Sequence, residues 1–223
     1  MIDLHTHSLL SDGVLIPAEL MRRAKVKGCR AIGITDHVDQ SNFDHVIPRI
    51  IAACDHYSGS HGIIAIPGVE ITHVPPQDIF DLVKEARILG AKLVIVHGET
   101  LVEPVLPGTN LAALQADIDV LAHPGLITEE EIALARDKSI YLEISARKGH
   151  SFTNGHVASL SRKLGARLVI DTDAHEPSDL IDREMARKIG LGAGMIEEEI
   201  EAAFENSNRI VNHCLALNFD LRH

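Results

Sequence analysis

His5-Thr6-His7-Ser8-Leu9-Leu10-Ser11-Asp12-Gly13, near the start of the chain, puts metal-ligating side chains on what looks like extended backbone. Met1-Ile2-Asp3-Leu4 before it is a short segment that can begin a buried strand. Side chains at i and i+2 of an extended segment point to the same side. His5 and His7 therefore aim two imidazoles at one point, as a chelating chain does. Asp12-Gly13 is a turn dipeptide that returns a carboxylate toward the same place. An isolated His-x-His is usually a pair of surface histidines. Recurrence along the chain argues otherwise here.

Outward from this stretch, short apolar strands alternate with helical segments. A strand over 31–35 ends in Asp36-His37, one over 63–69 delivers Glu70, and one over 92–96 delivers His97. The strand 120–122 delivers His123 before Pro124-Gly125, the strand 140–144 carries Glu143, and the strand 167–171 delivers Asp173 and His175. Helices are expected over 17–27, 46–56, 79–89, 111–116, from a Thr128 cap to 136, over 156–164, and from a Ser178 cap to 189. Two more, 196–205 and 208–217, close the chain. A weak repeat supports the alternation. Ala24-Lys25-Val26-Lys27-Gly28, Ala86-Arg87-Ile88-Leu89-Gly90 and Ser161-Arg162-Lys163-Leu164-Gly165 each end a helix with a basic turn and a glycine cap.

Repeated strand–helix units imply parallel strands joined by crossovers. Seven such units could form an open sheet or a closed barrel. Every strand ends in Asp, Glu or His, although these make up 32 and 14 of 223 residues, about one in five. Only a barrel brings all its strand ends to one mouth, where barrel enzymes do their chemistry. The expectation is a single domain over 1–223, with the helices from about 196 packed on it.

Composition narrows the function. The net charge of −11, 3% aromatic residues and absence of Trp argue against a nucleic-acid surface, which needs basic stripes and stacking rings. Three widely spaced cysteines without Cys-x-x-Cys exclude a cysteine zinc site and suit a reducing compartment. With no apolar run of membrane-spanning length and no leader pattern, the expected location is cytoplasmic. Imidazoles and carboxylates without thiolates suit Zn, Mn or Fe. His5, His7, Asp12, His37, Glu70, His97, His123, Asp173 and His175 are too many ligands for one ion and enough for two or three. Such ions also let an acidic protein accept an anion.

The ordered set of His5-Thr6-His7 with Asp12, Thr35-Asp36-His37, Gly68-Val69-Glu70, His97-Gly98, His123-Pro124-Gly125 and Asp171-Thr172-Asp173-Ala174-His175 resembles the polymerase and histidinol phosphatase (PHP) family over residues 2–175. The resemblance implies a distorted seven-stranded (β/α)7 TIM-like barrel with a trinuclear site and phosphoesterase activity. By that likeness His5, His7, Glu70 and Asp173 hold one ion. Glu70 bridges to a second with His97 and His123, and Asp12, His37 and His175 hold a third. Glu70, Asp12 and Asp173 are the carboxylates expected to carry catalysis. The expected reaction is hydrolysis of a small phosphorylated metabolite, as in a histidinol-phosphate phosphatase, by a metal-activated hydroxide. Arg147 is the expected principal phosphate clamp, with Lys148 or His150 of the same loop assisting. A 3′-nuclease and a non-catalytic metal-binding module are the alternatives. Neither nucleic acid nor a membrane is an expected partner, and the oligomeric state is open. His45, His56, His61, His150, His156, His213 and His223 stand as solvated residues, and Glu197-Glu198-Glu199 as a solvated helix face. Asp36 is expected to orient a neighbour rather than bind metal. Glu143 belongs to the mouth, and Glu99 and Asp171 are unassigned.

Overall fold

The computed structural model describes residues 1–220, with side chains described as far as 216; His223 lies outside the described residues. The strands are β1 (Ile2–Asp3), β2 (Ala31–Ile34), β3 (His37–Val38), β4 (Ile64–Ile71), β5 (Leu93–His97), β6 (Val120–Ala122), β7 (Tyr141–Ser145) and β8 (Arg167–Asp171). Seven of them run parallel in the order β1-β2-β4-β5-β6-β7-β8. The short β3, not expected from the sequence, pairs with β4 and sets His37 opposite Glu70. The helices are α1 (Pro17–Val26), α2 (Phe43–Tyr57), α3 (Pro76–Ile88), α4 (Thr109–Gln115), α5 (Glu129–Lys138), α6 (Asn154–Leu164), α7 (Arg183–Gly192) and α8 (Glu197–Asp220). They surround a nearly closed (β/α)7 barrel.

The strands are buried on both faces, so they read as continuous apolar runs rather than alternating ones. Leu93 and Ile95 of β5 face a barrel interior shared with Ile2, Leu4, Ile66, Val120 and Val169. Val94 and Val96 face the outer layer, where they pack with apolar residues of the helices. The interior is stoppered from α8, whose Ile210, Val211 and Cys214 join it. The capping box at Thr128 is present, with Glu131 N and Thr128 Oγ1 bonded at 3.2 Å. At the three repeated basic helix ends the chain bonds back identically: Cys29 N donates to Ala24 O, Ala91 N to Ala86 O and Ala166 N to Ser161 O, at 3.0–3.1 Å.

Two expectations about the C-terminal helices need correction. Asp182, not Ser178, caps α7, accepting from Met185 N at 2.8 Å. Ser178 instead donates to Glu176 within the preceding turn. The two final helices are one, because Asn206-Ser207-Asn208 does not break α8. Ser207 Oγ donates to Ala203 O one turn back, and Asn206 Nδ2 donates to Leu168 O of β8. These polar groups find partners without disturbing the helix.

Carboxylates close the seam between β1 and β8. Past a single bridge at Thr6 and Ala174, Asp171 Oδ1 accepts from Leu4 N at 2.7 Å, and Asp3 accepts from Thr172 N and Oγ1 at 3.1 and 2.7 Å. Burial, then Asp3 and Glu143, hold the Asp171 carboxyl well above its ordinary range. Burial also pushes Asp3 up, to about 6, against its Thr172 bonds. A raised folded pKa contributes stability below the unfolded value of about 3.9 that is lost as pH rises through the folded one. Asp171→Asn keeps the acceptor for Leu4 and removes this loss. Its melting temperature relative to the parent is therefore expected to rise between pH 5 and pH 8. A constant difference across that range in thermal melts would show that Asp171 is ionised in the fold.

Candidate metal centre

The C-terminal strand ends bring all nine sequence-predicted ligands together. In β4 and β5, Glu70 and His97 share the parity of the inward Ile66 and Ile95, so alternation alone turns them toward the axis. Glu143 of β7 lies opposite in parity to the outward Leu142 and Ile144. Alternation would turn His123 outward, since Val120 and Ala122 face in. A φ of 27° at His123 redirects the chain, and Asp173 has a φ of 52°. Strained backbone of this kind concentrates at functional sites. Gly13 lets the first loop fold back, because a Cβ there would collide with His7 O. Asp36 holds that loop by accepting from the backbone N–H and hydroxyl of both Ser8 and Ser11, at 2.8–3.0 Å.

Glu70 lies at the centre, fully buried. Its Oε2 is 2.8 Å from His37 Nδ1, 3.2 Å from His5 Nε2 and 3.5 Å from His7 Nε2, while Oε1 is 3.4 Å from His123 Nε2. Asp173 Oδ1 is 3.0 Å from His7 Nε2 and 3.7 Å from His5 Nε2. On the outer side, Asp12 Oδ1 is 3.1 Å from His175 Nε2 and 3.5 Å from His37 Nε2. Glu143 supports the centre: Oε1 is 2.7 Å from His5 Nδ1, and Oε2 accepts from His123 N at 3.0 Å.

These residues fit a set of cations. His5 Nε2, both ring nitrogens of His7 and His123, both oxygens of Glu70 and Asp173 Oδ1 are buried without a hydrogen-bond partner. Buried polar atoms are normally paired, and imidazole nitrogens and carboxylate oxygens that converge without partners are what divalent ions satisfy. The electrostatics agree. Burial, then His97, pulls the His123 ring down to about 3, while burial pushes Asp173 up to about 6 against the pull of His5. Burial opposes charge on Glu70, yet His5 and His37 hold it well below the usual carboxylate range.

The site also holds residues that sequence reasoning set aside or missed. His150 is buried, stacks on His123 with ring centroids 4.1 Å apart, and carries Nε2 3.6 Å from Asp173 Oδ2. Glu103, in the loop after β5, has Oε2 3.1 Å from His97 Nε2 and 3.2 Å from His73 Nε2. His73 has a φ of 54°, another left-handed residue at the mouth. The one available signal was position: all three follow barrel strands within about ten residues. Glu99 is structural, its Oε1 accepting from Gly108 N and Asn110 N at the start of α4. Arg147 lines the mouth cavity, its Nη1 donating to Asp173 O at 3.2 Å. Lys148 is exposed and lines a neighbouring depression with His175, Glu176 and Asp179. His45, His56, His61, His156 and His213 do not join the cluster.

A nearly closed parallel barrel with a buried imidazole–carboxylate cluster at its mouth defines the class, that of the metal-dependent hydrolases. The chain belongs to the PHP family: the model of the PHP domain matches residues 3–156. An uncharacterized protein of Methanocaldococcus jannaschii is 49% identical over 201 residues, covering 89% of this chain and 92% of its own. A probable phosphatase of Thermoanaerobacter sp. is 24% identical over 225 residues, covering 89% and 88%. A crystal structure from Bacteroides vulgatus, a two-domain protein containing a predicted PHP-like metal-dependent phosphoesterase, superposes with a TM-score of 0.50 at 18% identity. It covers 79% of this chain and 52% of that one.

Proposed function

We propose that the protein is a phosphomonoesterase acting on a small phosphorylated metabolite, with two to three Zn, Mn or Fe ions held by the nine residues above. The observation that carries this reading is the cavity over the cluster, about 370 Å³ in volume. That is near the lower end for ligand sites and suits a metabolite rather than a polymer. Arg147 is the only arginine or lysine among the described residues lining it. His5, His7, Glu70 and Asp173 would hold one ion, Glu70 with His97 and His123 a second, and Asp12 with His37 and His175 a third. When bound, the ions supply Lewis acidity and a water of lowered pKa. Glu143 fixes the His5 ring through Nδ1, and Asp36 fixes the loop that carries Asp12. Arg147 offers the substrate a planar pair of donors matched to phosphate oxygens. A reducing, cytoplasmic setting goes with this reading, as Cys29, Cys54 and Cys214 are buried thiols. Among the described residues no helix is long and apolar enough to cross a membrane.

A phosphate-release panel of sugar, nucleotide and amino-alcohol monophosphates, phosphodiesters and single-stranded DNA tests the proposal. Turnover is expected on monoesters. Turnover confined to diesters or DNA would overturn it in favour of a nuclease, and none on any substrate by metal-loaded protein would favour a non-catalytic module. Arg147→Ala is expected to raise KM with little change in kcat, because a clamp binds ground and transition states alike. The loss is about 1.5–3 kcal/mol, the usual value of a charge-assisted hydrogen bond. Metal content should stay constant although Arg147 Nε lies 3.5 Å from Asp173 Oδ2. Unchanged KM and kcat would make the arginine an ordinary surface residue.

A further inference from the structure

Three of the six imidazoles among the proposed ligands share one arrangement. Nδ1 is tied to an oxygen, and Nε2 faces the cluster. The Nδ1 partners are Glu143 Oε1 for His5 at 2.7 Å, Gly98 O for His97 at 3.1 Å and Asp173 O for His175 at 3.0 Å. Such a bond selects the tautomer that leaves the other nitrogen free for a metal. His150 repeats the arrangement. Its Nδ1 meets Thr100 Oγ1 at 2.8 Å, and its ligand nitrogen lies within 4.8 Å of those of His97 and His123. A histidine kept only for packing has no reason to present an imidazole nitrogen to that point.

Glu103 approaches from the opposite wall, on the loop between β5 and α4. Its Oε2 is 3.1 Å from His97 Nε2, and its Oε1 is 3.4 Å from His150 Nε2. Two donors about 2.1 Å from one ion, at tetrahedral or octahedral angles, stand about 3.0–3.4 Å apart. Both separations fall in that interval, the one to His97 through Oε2 and the one to His150 through Oε1. His73 completes the frame from outside, with Nε2 3.2 Å from Glu103 Oε2 and its side chain 42% exposed.

We propose that His150 and Glu103 are two further ligands of the ion assigned above to Glu70, His97 and His123, an inference that rests on that assignment. The ion then has five protein donors. That exceeds the usual set of a four-coordinate zinc and leaves one position of an octahedron for substrate or water. The site is accordingly built for Mn²⁺ or Fe²⁺ rather than Zn²⁺.

The test is a Mn²⁺ titration of the demetallated full-length chain without substrate, followed by the electron paramagnetic resonance signal of free Mn²⁺. The parent is compared with His150→Phe, which keeps the stack on His123, and with Glu103→Gln. Glu103 is on a half-exposed loop, so its variant reports even if the His150 variant does not fold. Each variant is expected to weaken one Mn²⁺ site by about tenfold or more, leaving the others at parental affinity. Unchanged affinity at every site in Glu103→Gln and in folded His150→Phe would overturn the inference, as would uniform weakening of all sites, which is what general damage to the fold would give. A parent that binds no Mn²⁺, Fe²⁺ or Zn²⁺ at all would overturn the metal-centre assignment itself, an outcome distinct from these.

Discussion

Glu70→Gln is expected to abolish turnover while leaving the barrel folded. Glu70 is the fully buried carboxylate at the centre, with Oε2 toward His5, His7 and His37 and Oε1 toward His123. A glutamine fills the same space but removes the negative charge between two proposed cations, and it puts an amide N–H where a lone pair is needed. Loss of one bridging contact is worth several kcal/mol of charge stabilisation, so kcat/KM should fall on the order of a thousandfold, about 4 kcal/mol. Circular dichroism should be unchanged, because the amide keeps the side chain's shape and one acceptor oxygen in the buried centre. Near-parental turnover with parental metal content would show that Glu70 is not a bridge.

The second large effect concerns metal removal. Protein purified without chelator is expected to carry two to three divalent ions per chain by elemental analysis. Stripping them should lower the melting temperature substantially. An ion present at a thousand times its dissociation constant stabilises the fold by about 4 kcal/mol, and each kcal/mol moves the melting temperature of a chain this size by about 2–4 °C. Even one ion lost should thus cost on the order of 10 °C. The apo protein is left with buried imidazoles and carboxylates that have no partners, so the loss should reverse when metal is restored. One ion or fewer per chain, in protein competent to rebind metal, would sink the multinuclear arrangement.

Much of the barrel and its centre was legible before any coordinates. Strand ends in a parallel barrel converge whatever the details of packing, so His97 or Glu70 could be placed from strand parity and position alone. The helix ends at Gly28, Gly90 and Gly165 were legible for a local reason, since a basic turn followed by glycine is complete within a few residues. Asp36 was legible as a support because carboxylates beside ligands commonly orient a neighbouring imidazole or loop. The polar trio Asn206-Ser207-Asn208 misled, because its local signal is a helix break. Its true partners, Ala203 O and Leu168 O, are visible only once α8 lies along β8.

By itself, the sequence determined the alternation of strand and helix, the placing of nine candidate ligands at or near strand ends, and the acidic, aromatic-poor composition. Those properties depend on neighbours in the chain or on the period of a strand. Only the tertiary structure decided that His150 belongs with His97 and His123, that Glu103 faces them, that α8 plugs the barrel, and that Asp3 and Asp171 close its seam. Each of these joins residues from different units, across loops whose course no local rule dictates. His123 shows the division within one residue. Its position after β6 marked it from the sequence, but parity would have turned it outward, and a left-handed backbone angle brings its ring to the centre.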